Sequence, residues 1–66
     1  MITDDDKTII ESLLNESSEY NLNRLKEITS KYDNSPQITG CLCKESNRIN
    51  YLNRFRDWYN NEIAND

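Results

Sequence analysis

The stretch Arg48–Ile63, RINYLNRFRDWYNNEI, carries the spacing that decides the fold of this chain. It contains the only Trp, the only Phe, two of the four Tyr and three of the four Arg. Its large apolar residues recur at intervals of three and four, the period of one face of an α-helix. The row consists of Ile49, Leu52, Phe55, Tyr59 and Ile63. We therefore predict a long amphipathic helix, placed at residues 45–64.

A second row lies beside the first and widens the apolar arc to roughly half the circumference of the helix. Its members are Tyr51, Phe55, Trp58 and Glu62. The first interpretation is that the aromatic rings fill the core of a small bundle, which is their usual role. The second is that the arc near Trp58 and Tyr51 is an exposed anchor for another chain, because Trp, Tyr and Arg are enriched at interface hot spots.

The residues predicted to contact a partner combine aromatic rings with two cations at the edges of the arc. The stems of Arg54 and Arg56 can cover apolar surface while their guanidinium groups reach solvent or a partner. The full set is Tyr51, Arg54, Arg56, Trp58 and Tyr59. A protein partner or a homo-oligomer is the expectation that follows from this set.

The length of 66 residues allows one small domain, which we place at residues 1–66. A chain this short is only marginally stable alone. Its apolar content is 35%, below the usual value of about 45–50%, and its mean hydropathy is −0.97. Because small scaffolds compensate with disulfides, metals, oligomerisation or very regular packing, this deficit also favours a partner.

The net charge of −4 is distributed unevenly along the chain. Residues 1–33 hold eight acids and four bases, and residues 34–66 hold four of each. The overall acidity argues against a protein that coats nucleic acid without specificity. Four bases within Lys44–Arg56 still leave a focused contact with nucleic acid possible.

The N-terminus lacks the features of a secretory signal. Asp4, Asp5 and Asp6 occupy the place of a basic leader segment, and no apolar segment of the required length follows. No run approaches the roughly 18–20 apolar residues of a membrane span. We therefore expect a soluble, intracellular protein, not secreted by a signal peptide and not associated with a membrane.

The N-terminal half carries two apolar patches at helical spacing. Thr3 followed by three Asp predicts a helix start with a hydroxyl cap, and Thr8 with Glu11 offers an alternative start one turn later. We predict a break near residues 15–20, with Ser17 or Ser18 capping a second helix, because Ser and Asn favour caps and turns. One continuous helix over residues 4–32 is the alternative. The patches are Ile9, Ile10, Leu13 and Leu14, then Leu22, Leu25, Ile28 and Tyr32.

The connection to the last helix contains the only Pro and the only Gly. Ser35 precedes Pro36 and is pushed away from helical angles, which predicts that the second helix ends before this turn. Gly40 is predicted to allow a backbone bend. Ser46 or Asn47 is the predicted cap of the last helix, with Lys44–Ser46 as its alternative first turn.

Cys41-Leu42-Cys43 is the one chemically suggestive motif. A zinc site needs four ligands, and the chain offers two Cys and no His. Without a secretory signal, a disulfide is not expected. We predict that one or both thiols are small buried hydrophobes where the loop meets the last helix. A metal site shared between two copies and a redox role are the alternatives.

Sequence signatures of catalysis are absent. The chain has no His to act as a base, no Gly-rich phosphate loop and no nucleophile elbow. Its many carboxylates include no pair that the spacing singles out. We expect a protein that is not an enzyme, with no cofactor and no metal.

A family resemblance is carried by Gly40–Tyr59, about a third of the chain. The motif G-C-x-C, followed by Arg48, Tyr51, Phe55 and the dipeptide Trp58-Tyr59, resembles small proteins from tailed phages of gut Bacteroidetes, including crAss-like phages. Short proteins of this kind resemble virion, connector or packaging components. The resemblance implies an assembly role, in the host cytoplasm or in a virion, and transfers no functional residue.

Together these patterns predict an all-α fold, a small two- or three-helix bundle whose long C-terminal helix packs on the N-terminal helix or helix pair. The leading functional hypothesis is a non-enzymatic interaction module, a small subunit or accessory of a phage virion or assembly complex. The alternative is a small nucleic-acid-binding protein, terminase-like or regulatory. In that case Leu13–Tyr32 would resemble a helix-turn-helix and Lys44–Arg56 would contact phosphates.

Overall fold

The computed structural model describes residues 2–65, which form three α-helices and, within that range, no strand. Helix α1 is Asp4–Leu13, helix α2 is Glu19–Thr29 and helix α3 is Glu45–Ala64. Helix α2 packs against both α1 and α3. The all-α prediction is confirmed, and α3 has the predicted bounds of 45 and 64.

Helix α1 begins where the cap residue and the acids predict. The Thr3 hydroxyl accepts a hydrogen bond from the Asp6 backbone N–H at 3.2 Å. Three Asp in the first turn place negative charge beside the positive end of the helix dipole, which is favourable. This start, and not the alternative at Thr8, is the one the structure shows.

The break between α1 and α2 is confirmed, and Ser18 is the residue that caps α2. Its hydroxyl accepts from the Asn21 backbone N–H at 3.1 Å. The Asn21 side-chain amide donates to the carbonyl oxygens of Leu13 at 3.1 Å and Glu16 at 3.3 Å. Asn21 therefore satisfies the Leu13 carbonyl, which has no helical partner at the end of α1, and one carbonyl of the connection.

A single hydrophobic cluster joins the three helices and the N-terminal Ile2. Phe55 of α3 is 1% exposed, and Ile10, Leu22 and Leu25 are fully buried. Thr29, also buried, donates its hydroxyl to the Leu25 carbonyl at 2.7 Å, so this polar group is satisfied within its own helix. The cluster comprises Ile2, Ile10, Leu14, Leu22, Leu25, Tyr51, Leu52, Phe55, Trp58 and Tyr59.

The two ends of the apolar row on α3 lie outside this core. Ile49 is 43% exposed and Ile63 is 39% exposed, whereas Leu52, Phe55 and Tyr59 between them are buried. Helix α3 has 20 residues and α2 has 11, so α3 is about 14 Å longer at 1.5 Å per residue. The neighbouring helices therefore cannot cover the whole row.

Of the predictions for the connection before α3, the bend at Gly40 is confirmed and the N-cap residue needs correction. The residue at the N-cap of α3 is Lys44, not Ser46 or Asn47, and no side chain within residues 2–65 makes a cap hydrogen bond there. Gly40 lies at a bend, but its φ is not in the left-handed region. What Gly40 provides is space, because a Cβ there would lie 2.7 Å from the Tyr51 hydroxyl oxygen.

None of the helices in residues 2–65 combines the length and the apolar character that a membrane crossing requires.

Candidate functional site

The three aromatic rings predicted to contact a partner lie in the core. Tyr51 is 8% exposed, Trp58 is 9% exposed and Tyr59 is 4% exposed. Of the two interpretations of the apolar arc, the structure of the chain corresponds to the first, in which the rings fill the bundle. A direct contact between these rings and a partner stays a prediction and requires the core to open.

Tyr51 fastens the loop before α3 to the helix itself. Its hydroxyl oxygen accepts a hydrogen bond from the Gly40 backbone N–H at 2.6 Å. Hydrogen bonds from the Thr39 side chain and the Gly40 backbone lower the pKa of Tyr51 below its ordinary value. The Arg54 guanidinium lies 5.5 Å from the centre of the Tyr51 ring, within range of a cation–π contact. Arg54 thus contacts the outer side of the aromatic arc while remaining exposed.

Tyr59 and Arg56 connect α3 to α1. The Tyr59 hydroxyl donates to the Glu11 carboxylate, and the Arg56 guanidinium donates to the Leu14 carbonyl at 2.8 Å. Burial, followed by the hydrogen bond to Glu11, raises the pKa of Tyr59 to about 12. Leu14 is the C-cap residue of α1, so Arg56 satisfies a carbonyl at the negative end of that helix.

Trp58 packs on the opposite side of α3. Its ring centre is 6.0 Å from that of Tyr32, with the planes tilted by 48°. The buried indole Nε1–H has no hydrogen-bond partner within residues 2–65. Trp58 therefore contributes to the bundle through its apolar surface and ring contacts.

Asp6, Lys31 and Tyr32 form a polar network between the start of α1 and the residues after α2. The Tyr32 hydroxyl donates to the Asp6 carboxylate, and Lys31 Nζ lies 2.8 Å from an oxygen of the same group. Hydrogen bonds from Lys31 and Tyr32 hold the pKa of Asp6 below its ordinary value of 3.8. The sequence pattern gave no indication of this network, because its members are about 25 residues apart on separate elements.

This network predicts an acid-dependent loss of stability. Because the pKa of Asp6 is lower in the folded chain than in the unfolded chain, its contribution is present above pH 3.8 and is lost as the pH falls through the folded pKa. We expect Asp6→Asn to lower the thermal midpoint at neutral pH, and the difference from wild type to shrink below pH 3.8. Circular dichroism melts across this range measure it.

Asp5→Asn is the matched control, since Asp5 is an exposed acid in the same turn of α1. It removes the same charge beside the helix dipole and leaves the network intact. A difference between wild type and Asp6→Asn that stays constant down to the lowest pH would contradict this assignment.

Most bases of the basic strip, by which we mean the four basic residues within Lys44–Arg56, contact other groups of the same chain. Arg48 donates to the Leu42 carbonyl at 2.8 Å, which adds to the contacts already described for Arg54 and Arg56. Lys44 is exposed at the N-cap of α3. The three arginines thus hold the loop, the aromatic arc and the end of α1 in place, a role that the sequence alone did not indicate.

The two exposed large apolar residues of α3, Ile49 and Ile63, lie on one line along the helix with Arg56 between them. Ile49, Arg56 and Ile63 are seven residues apart, a spacing that drifts by only about 20° around a helix. All three are exposed, and we call them the heptad stripe. The stripe is about 21 Å long at 1.5 Å per residue, and the exposed side chains of Asn53 and Asn60 lie beside it. Two other large apolar residues are exposed elsewhere, Ile9 on α1 and Tyr20 on α2.

The prediction that one or both thiols of Cys41 and Cys43 are buried is wrong, and so is the expectation that they form no disulfide. Both residues are exposed and are joined by a disulfide, with their Cα atoms 5.3 Å apart. The residue between them, Leu42, is the one that packs against the core. Because Leu42 turns inward, its two neighbours are left on the outer side, where their sulfur atoms meet.

Within residues 2–65 no cluster of three or more metal-ligating His, Cys, Asp or Glu side chains and no pocket is found. With both sulfur atoms in the bridge, this form of the chain offers no thiolate for the shared metal site considered from the sequence. No family model, curated protein or solved structure matches the chain.

Proposed function

We propose that this chain is a non-enzymatic helical interaction module, a small subunit or accessory of a phage virion or assembly complex. The observation that carries the proposal is the heptad stripe on α3. The longest helix presents Ile49 and Ile63 to solvent while the rest of its apolar row is buried. Ile49 and Ile63 are fourteen residues, or two heptads, apart. This spacing suits packing against a second helix, because side chains in paired helices make contact at heptad intervals.

The low apolar content supports the same proposal. A chain of 66 residues with 35% apolar residues has few apolar side chains with which to build a core, yet four large ones are exposed within residues 2–65. Covering apolar surface is favourable by roughly 25 cal/mol per Å². A protein partner that covers the stripe would therefore add to the marginal stability expected for a chain of this size.

The resemblance of Gly40–Tyr59 to small phage proteins supplies the assembly role. The burial of Tyr51, Trp58 and Tyr59 shifts the expected contact surface from these rings to the exposed side of α3. Arg54 remains a candidate contact at one edge of the helix, and Arg56 remains one within the stripe. Arg48, Arg54 and Arg56 each contact groups of their own chain, whereas the Lys44 side chain makes no such contact within residues 2–65. Because most of these bases are already engaged, phosphate binding is disfavoured as the main role.

The proposal is tested by affinity capture of the tagged chain from native cells, with mass spectrometry of the bound proteins. We expect virion or assembly proteins, and we expect Ile49→Asn combined with Ile63→Asn to reduce their capture at least tenfold. Both positions are exposed, so the double variant is expected to keep the wild-type helical content. Tyr20→Asn is the control, since Tyr20 is exposed but lies on α2.

Binding of labelled duplex DNA at low and at physiological salt tests the alternative. We expect no micromolar affinity at physiological salt, because the overall acidity repels phosphates. The nucleic-acid hypothesis would replace the proposal if such affinity were found, fell steeply with salt and disappeared on charge reversal at Arg54 and Arg56, while the stripe variant still bound DNA.

A further inference from the structure

The exposed bridge between Cys41 and Cys43 encloses only Leu42, so it cross-links no distant parts of the chain. The entropy that a disulfide removes from the unfolded state increases with the number of residues it encloses. A bridge around one residue therefore constrains the unfolded chain about as little as a disulfide can. The bridge therefore stabilises the fold only slightly, and stability does not explain why the two cysteines are paired.

Hydrogen bonds and packing hold the same segment without the bridge. The Gly40 N–H donates to the Tyr51 hydroxyl oxygen, and the carbonyls of Cys41 and Leu42 accept from Asn47 at 3.0 Å and Arg48 at 2.8 Å. Leu42 packs on the core from between the two cysteines. Residues 40–42 are thus fastened to α3 by groups that do not include sulfur, so the S–S bond can open while the fold stays in place.

We propose that Cys41–Cys43 is a thiol–disulfide exchange site, whose co-reactants are dithiols in one direction and disulfides in the other. The proposal is independent of the proposed assembly role. Both cysteines are exposed, which gives an incoming thiolate access to the bridge. The chain would pass two electrons between the cysteine pair and the co-reactant.

The hydrogen bonding at the bridge sets the direction of attack. The Cys43 backbone N–H lies 3.1 Å from Cys41 Sγ and donates to it. A hydrogen bond to sulfur favours the thiolate form, and the thiol with the lower pKa leaves faster in exchange. An incoming thiolate therefore attacks Cys43 Sγ, and Cys41 departs as the thiolate.

The step balances with a dithiol as the reductant. A bond forms between the reductant sulfur and Cys43 Sγ as the Cys41–Cys43 bond breaks, and its electron pair goes to Cys41. The second thiolate of the reductant then attacks the first reductant sulfur and releases Cys43 as a thiolate. The dithiol is oxidised to a disulfide, the cysteine pair is reduced by two electrons, and the two protons of the dithiol pass to the cysteines. The reverse sequence lets the reduced chain reduce a disulfide.

The first experiment treats the oxidised full-length chain with millimolar dithiothreitol in the absence of denaturant. Acid quenching, alkylation and mass spectrometry count the free thiols over time, and circular dichroism follows the helices. We expect complete reduction with unchanged helical content, and reoxidation by oxidised glutathione with release of reduced glutathione. A bridge that opens only when the helices melt, or whose opening melts them, would overturn the proposal and make the disulfide structural.

The second experiment tests the direction of attack with the two single-cysteine variants. Cys43→Ser leaves Cys41 with the backbone N–H of residue 43, whereas Cys41→Ser leaves Cys43 without that donor. We expect iodoacetamide at neutral pH to alkylate Cys41 about three- to tenfold faster than Cys43, since the thiolate is the reactive form. Equal rates in two variants with wild-type helicity would overturn the assignment of Cys41 as the leaving group.

Discussion

Replacing Phe55 with alanine is expected to abolish most of the cooperative folding of this chain. Phe55 is 1% exposed at the centre of the core, and truncation of a buried Phe costs about 3–5 kcal/mol. At roughly 0.05–0.15 kcal/mol per residue, a chain of 66 residues has about 3–10 kcal/mol in total. We expect a large loss of helical circular dichroism, or a melt shifted far downwards, and urea unfolding measures the difference.

Tyr20→Ala is the control for this substitution. It also removes an aromatic ring from a helix, but Tyr20 is 69% exposed, so the free energy of unfolding should change by no more than about 0.5 kcal/mol. The same comparison applies to Leu25 and Leu52, where truncation to alanine should cost about 2–5 kcal/mol. A Phe55→Ala chain that unfolds within 1 kcal/mol of wild type would show that the core does not depend on α3.

Local signals in the sequence predicted the helices well. The 3.6-residue period over residues 45–64, the cap at Thr3 and the Ser-rich break before α2 each act within a few residues. Such interactions do not depend on how the helices are arranged, so they can be inferred from spacing and residue type. This is why the bounds of α3 and the capping by Ser18 agree with the prediction.

The features that the sequence did not predict depend on relations between elements. The exposure of Ile49 and Ile63 follows from the difference in length between α3 and α2, which a wheel drawn for one helix does not contain. The contact of Arg56 with the Leu14 carbonyl spans 42 residues. Charge and position on the arc made Arg54 and Arg56 candidates for contact with a partner. In the structure, Arg56 caps the C-terminal end of α1 in its own chain.

The partner-contact prediction for α3 has the same limit. Residue type and spacing selected α3, the helix that buries five residues against two in α1 and three in α2. They could not decide which side of that arc the bundle covers, because this depends on where α1 and α2 pack. The disulfide could not be predicted for a different reason. It depends on Leu42 turning inward and on the oxidation state of the cysteines, and the sequence Cys41-Leu42-Cys43 determines neither.

Gly40→Ala is expected to destabilise the chain by about 1–3 kcal/mol, the usual cost of inserting an extra carbon into a packed site. The added Cβ would lie 2.7 Å from the Tyr51 hydroxyl oxygen, closer than carbon and oxygen atoms approach, while the ring carbon Cζ at 3.7 Å is an ordinary contact. Because the φ of Gly40 is not in the left-handed region, backbone strain does not contribute to this cost. The ring must move, and its hydrogen bond to the Gly40 N–H is then lost.

A double-mutant cycle with Tyr51→Phe separates this close approach from other effects of the alanine. Removal of the hydroxyl removes both the atom that the Cβ would meet and the hydrogen bond that the alanine disrupts. We therefore expect Gly40→Ala to cost much less in the Tyr51→Phe chain than in the wild type, so that the two substitutions are strongly non-additive. Urea unfolding of the four chains measures the coupling. Equal costs in both backgrounds would mean that the Tyr51 hydroxyl does not set the requirement for glycine at residue 40.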